Sequence, residues 1–130
     1  MLSKLITIFL VISISCFAQT NLYKYSTSLD YAQVIKVQTS KRANGSWCFN
    51  VTVRHNDEGW KHYSNAWEVL DMNGNTLGTR ILGHPHNEEQ PFTRSQCGIE
   101  IPKNVSNVVV RAKCNKHGFG GKSYIVDIQN

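Results

Sequence analysis

Cys114 and His117 stand three residues apart, after the apolar run Val108-Val109-Val110 and beside Gly118, Gly120 and Gly121. A thiolate and an imidazole at that spacing, on a strand end where glycines let the backbone fold back, can face one metal ion. The other histidines are His55, His62, His84 and His86. Imidazole is a common ligand because it is neutral near pH 7 and borderline in softness. The chemistry on offer is therefore metal binding by nitrogen and sulfur. The candidate ligands are His55, His62, Cys114 and His117, with His84 or His86 completing the set.

The elements that must position these residues read as strands. Alternation over residues 34–39 puts Ile35 and Val37 on one side. Residues 47–54 alternate with Trp47, Phe49, Val51 and Val53 inward. Further strands fall at 65–70, 76–82, 95–101, 107–114 and 123–128. Asn-Gly signals at Asn44-Gly45 and Asn73-Gly74 mark two turns. Seven short strands without a helical stretch point to a seven-stranded antiparallel immunoglobulin-like β-sandwich. Trp47, Phe49 and Trp67 are expected in its core.

Successive strands in such a fold run up and down, so alternate loops share an end. The turns at 41–46, 71–75 and 102–106 fall at one end. The loops at 55–63, 83–92 and 115–121 fall at the other. All five histidines belong to this second set or border it. Core packing does not require that segregation. His84-Pro85-His86 can also simply pack on Trp60 or Phe92. Asp57, Glu58, Glu88 and Glu89 share the pole, either as a rim paired with Lys61 and Arg94 or as groups that orient imidazoles.

Residues 1–18 read as a secretory signal peptide: Lys4, an apolar stretch over 5–14, and Ala18 before the cut. That stretch is too short to span a membrane. The alternative is a lipoprotein with Cys16 lipidated. A polar lead-in over 19–30 and one domain over 31–130 follow. Export implies a secreted or periplasmic, oxidising location. The formal charge of +5 is scattered and forms no basic stripe with aromatics, which argues against nucleic acid. Neither a Gly-x-Ser-x-Gly nucleophile turn nor a phosphate loop is present.

Beyond the leader the cysteines are Cys48, Cys97 and Cys114. With an odd number, at least one is unpaired within the chain. Strand phase puts Cys97 with Ile99 and Ile101, and Cys114 with Val110 and Ala112, all inward. Cys48 has the opposite phase from Trp47 and Phe49. The expectation is that Cys48–Cys97 is disfavoured and Cys97–Cys114 permitted. A disulfide on Cys114 and a metal on Cys114 exclude each other, and the ligand role is preferred.

The segment Arg111-Ala-Lys-Cys114-Asn-Lys-His117-Gly118 resembles the Cys-Asn-x-His-Gly element of the superoxide reductases, the desulfoferrodoxin and neelaredoxin type. In that family the element supplies a cysteine and a histidine to mononuclear iron. His55-Asn-Asp-Glu-Gly-Trp-Lys-His62-Tyr63, followed by Trp67-Glu-Val-Leu70, resembles the family's His-Pro…His-Tyr element and the strand after it. The resemblance runs patchily from His55 to Gly118 and implies a small immunoglobulin-like sandwich. Two departures stand out. No histidine precedes His55, where the family has a further ligand, and Asn56 replaces its proline. The sulfur-carrier subunit of the thiosulfate-oxidising system has a related fold and a similar His…His-Tyr stretch without iron.

The resemblance implies an oxidoreductase whose iron, held by imidazoles and an axial thiolate, reduces a small-molecule oxidant; the leader would place it outside the cytoplasm. Copper or zinc are the other ions such donors take. The competing function is a non-catalytic accessory module that grips a protein partner with the same loops. Trp60, Tyr63, Phe92, Arg94 and Phe119 would then form the contact surface.

Overall fold

The computed structural model describes residues 24–129. The signal peptide expected over 1–18 lies outside the described residues, as does the first part of the lead-in. The described chain is all-β: β1 (Gln33–Lys41), β2 (Trp47–Arg54), β3 (Ser64–Asp71), β4 (Thr76–Ile81), β5 (Phe92–Ile99), β6 (Asn107–Cys114) and β7 (Tyr124–Asp127). Two antiparallel sheets, β1-β2-β5 and β4-β3-β6-β7, face one another. This is the expected immunoglobulin-like sandwich, with β4 carried beside β3. Among the described residues no helix is long and apolar enough to cross a membrane.

Alternation builds the core. Along β2, Trp47, Phe49, Val51 and Val53 are buried, while Asn50 and Arg54 are exposed. Trp67 and Val69 of β3 and Val108, Val110 and Ala112 of β6 meet them from the other sheet. Cys114 continues the β6 phase and is buried at the strand's end. Burial of these side chains contributes roughly 1.5–3 kcal/mol each for the larger aliphatics. It is this shared apolar face that fixes the register presenting Cys114 to the pole.

Two β-bulges overturn two expectations. In β1 the pairing passes from Val34↔Val53 to Lys36↔Thr52, leaving Ile35 as an extra residue. Val34 and Val37 turn toward the core, and Ile35 is 40% exposed. In β5 the pairing passes from Phe49↔Gln96 to Trp47↔Ile99, so Cys97 and Gly98 together oppose Cys48. Gly98 has φ of 74°, which suits a bulge. The inserted residue reverses phase, so Ile99 points inward and Cys97 is exposed.

The sulfurs of Cys97 and Cys48 therefore meet on the outer face and form a disulfide, with their Cα atoms 4.0 Å apart. The expectation that disfavoured Cys48–Cys97 and permitted Cys97–Cys114 is corrected by that bulge. Strict alternation holds only while the ladder is regular. Cys114 is left as a free, buried thiol.

Candidate metal centre

The loop at 115–121 is shaped to return on itself. Cys114 and Gly118 exchange backbone hydrogen bonds of 3.2 and 2.9 Å, and Gly118 has φ of 69°. That turn brings the His117 backbone N–H to 3.1 Å from Cys114 Sγ, which it faces as a donor. Gly120 serves close approach instead. A Cβ there would stand 2.6 Å from the Tyr31 ring, so the glycine lets residues 24–33 lie against this loop.

The two histidines of the 55–63 loop are held alike. His55 Nδ1 lies 2.5 Å from Asp57 Oδ1, both side chains being fully buried. His62 Nδ1 lies 3.3 Å from Glu58 Oε1. With Nδ1 turned to a carboxylate, Nε2 is the atom each ring offers to an ion, the arrangement that orients histidine ligands in metal proteins. The two rings meet edge to face at 4.7 Å. One nitrogen of each and Cys114 Sγ all lie within 4.8 Å of one another. The donor set, two backed imidazoles and a thiol, fits a transition metal. His117, exposed on the outer side, packs its ring edge-on at 5.1 Å from His62 and 5.5 Å from Tyr31.

All five histidines do gather at one pole, but in two groups. His55, His62, Cys114 and His117 form the first. His84 and His86 form the second, their rings 4.5 Å apart and His86 stacked on Phe92 at 4.0 Å. His86 Nε2 accepts from Arg94 Nη2 at 2.9 Å. Burial comes first among the causes that hold the His86 imidazole below its usual value, followed by the positive charges of Arg94 and His84. Asp57 links the groups: its Oδ2 accepts the His86 backbone N–H at 2.7 Å, and its Oδ1 also accepts from Ser64 N at 2.9 Å. Burial pushes the Asp57 carboxyl up. The hydrogen bonds from His55, His86 and Ser64 outweigh it and hold the group below its ordinary value.

The acids divide between the two readings given to them. Asp57 and Glu58 orient imidazoles, whereas Glu89 pairs with Arg94 at 3.1 Å on the rim. The aromatic contact surface is dispersed. Phe92 is in the core, Phe119 lies under the Arg111 guanidinium at 3.9 Å, and only Trp60, 65% exposed, stands out with Tyr63 at its edge.

Residues without a motif complete the site. Asp30, in the polar lead-in, places its backbone oxygen 3.2 Å from His55 Nε2, 3.3 Å from His62 Nε2 and 3.4 Å from Cys114 Sγ. Gln33 holds the turn that carries it. Its Nε2 faces the carbonyls of Ser26, Ser28 and Tyr31 at 2.9, 3.1 and 3.1 Å. The only sequence signal was a polar residue at the head of a strand. An apolar hollow, lined by Leu70, Met72, Val109, Phe119 and Ile125, lies on the outer face of β3, β6 and β7 and is lined by no histidine or cysteine.

No family model matches the chain, and no solved structure matches it. A curated protein of Halomicrobium mukohataei, named "Putative lipoprotein", is 37% identical over 99 residues, which is 76% of this chain and 48% of that protein. The chain thus spans about half the length of the curated relative it matches.

Proposed function

We propose that this is an extracytoplasmic metal protein whose single ion is held by His55, His62 and Cys114, with His117 as a further imidazole. One observation carries the reading. Two imidazoles, each backed at Nδ1 by a carboxylate, and one buried thiol bring their ligand atoms within 4.8 Å of one another. His86 is engaged with Phe92 and Arg94 and is reached from Asp57, His84 lies exposed against the His86 ring, and in this reading neither is a ligand.

Iron is the ion the superoxide-reductase resemblance favours, and copper and zinc are the ions the donors also suit. Iron bound there would supply one electron, with two protons from solvent, to turn superoxide into hydrogen peroxide. The chain's own residues do the rest. Cys114 contributes the charge that makes electron donation easier, and the His117 N–H tempers the sulfur. Asp57 and Glu58 keep both Nε2 atoms aimed inward. His117, at the solvent edge, lines the side from which a small oxidant approaches. The name of the Halomicrobium mukohataei relative supports an extracytoplasmic place, and with it Cys16 as a lipid attachment point in the alternative to cleavage after Ala18.

The test is metal analysis of purified protein joined to an optical spectrum. Near-stoichiometric iron or copper with a visible thiolate band, lost in Cys114→Ser, is the expected result. Protein that takes up no ion, in competition among iron, copper and zinc, sinks the reading. Mass spectrometry of the exported N-terminus separates a cleaved leader from a lipidated Cys16.

A further inference from the structure

We infer that the backbone carbonyl of Asp30 is a ligand in this centre, capping His55, His62 and Cys114, and that Gln33 is the residue that positions it. The inference rests on the metal reading above and adds an oxygen donor that no sequence motif marks.

Three observations carry it. The Asp30 oxygen is 3.2 to 3.4 Å from all three ligand atoms. A carbonyl oxygen only accepts, and with each Nδ1 proton turned to a carboxylate the two Nε2 atoms face it with lone pairs, leaving the Cys114 thiol as its one donor among the three. His55, His62 and Cys114 would hold an ion, and the Asp30 oxygen stands close to all three of their ligand atoms. One cation then satisfies four groups that protons satisfy poorly. Two imidazoles, a thiolate and a weak backbone oxygen are donor types that copper electron-transfer sites combine.

The turn is also built to stay in place. Besides the three carbonyls at its Nε2, Gln33 accepts the Lys122 N–H at 2.9 Å through Oε1. Ser26 N donates to Gly120 O at 2.8 Å, and Asn56 N donates to Leu29 O at 3.0 Å. The lead-in is thus tied to the loop carrying His117 and to the loop carrying His55. It reaches the pole from the N-terminal side, where the resembled family has its further histidine and this chain has none.

The Asp30 side chain is a rival for the same role, because its carboxylate, Glu58 and His62 also form a close group, with both acids exposed. Asp30→Asn separates the two, since it keeps the carbonyl and removes the carboxylate. The experiment uses the full chain labelled with carbonyl-13C aspartate and loaded with cobalt(II). The expected result is one aspartyl carbonyl with a large metal-induced 13C shift, absent from labelled Asp30→Asn because the label is gone. The thiolate–cobalt band and affinity should stay within about twofold in that variant.

Gln33→Glu keeps an acceptor for Lys122 but faces three carbonyls with a carboxylate. It should abolish the shift and speed cobalt release to a chelator about 10- to 100-fold, in line with lost support around a metal site. Circular dichroism verifies that the fold persists. A thiolate–cobalt band with every aspartyl carbonyl unshifted overturns the cap and leaves the metal reading standing. Loss of cobalt in Asp30→Asn assigns the role to the carboxylate and likewise overturns it. Absence of any cobalt binding removes both.

Discussion

Asp57 holds His55 by a 2.5 Å contact between Oδ1 and Nδ1, and neither side chain is exposed. The same carboxylate accepts from the backbones of Ser64 and His86. It therefore ties the 55–63 loop to the 83–92 loop and to the start of β3, as well as orienting a candidate ligand. Asp57→Ala leaves one ring nitrogen and two backbone N–H groups facing an empty space. Removing one partner of a buried pair costs about 3 kcal/mol. Urea denaturation should show that loss. Metal affinity, measured by chelator competition, should fall about 10- to 100-fold. A variant that loses stability but binds metal normally would refute the orienting role.

Two groups make stability depend on pH in the same direction. The His86 imidazole is held below its usual value of 6.5, first by burial and then by Arg94 and His84. The unfolded chain therefore binds its proton more readily, and stability falls as pH drops below 6.5 toward the folded value. Asp57 is also held low: burial raises it, but the bonds from His55, His86 and Ser64 prevail. Its contribution is full above the ordinary carboxylate range and is lost as pH falls through its lowered value. Urea midpoints should decline in two stages on acidification. His86→Gln should flatten the first, and Asp57→Asn the second. A midpoint that rises between pH 7 and pH 5 in the wild-type protein would contradict the assignment of His86.

The residues that follow periodicity were legible before any coordinates. Trp47, Phe49, Val51 and Val53 alternate without interruption, and strand parity alone placed five histidines at one pole. Ile35 and Cys97 were misread because each sits at a bulge, where one added residue reverses every side chain beyond it. Gly98 was the available clue, since a glycine inside a strand often marks such a place. The site was half visible. Cys114 and His117 carry a motif, but the carbonyl of Asp30 is a backbone atom and leaves no trace in residue type. His84 and His86 share the pole with the others, and parity cannot say which side of Asp57 they occupy.

The approach between the two strapping segments gives a sharper steric prediction. A Cβ on Gly121 would run into the backbone of Ala32 and stand 2.7 Å from Gln33 Nε2. Backbone cannot swing aside as a side-chain tip can. Gly121→Ala should therefore lift the loop from the lead-in, costing about 1–3 kcal/mol as overpacking does. Gly83→Ala is the control, since nothing lies within 4 Å of its added methyl. Thermal melts of the two should differ clearly, and equal melts would mean that the two segments are not in firm contact.

The remaining prediction concerns the three cysteines beyond the leader. Cys48 and Cys97 are bonded on the outer face of the β2–β5 pair, and Cys114 is free and 1% exposed. Unreduced protein should therefore show a single reactive thiol on that domain, and only after denaturant opens the core. Mutating Cys114 to Ser should remove it, and peptide mapping should find Cys48 joined to Cys97. The bond closes a separation of 49 residues, for which the chain-entropy relation gives about 4 kcal/mol of stabilisation. The double variant Cys48→Ser, Cys97→Ser should lose much of it in urea yet keep the visible band of a metal-loaded protein, because neither sulfur reaches the pole. A variant that folds but loses that band would mean that the outer disulfide and the metal centre are coupled through β2, whose end carries His55.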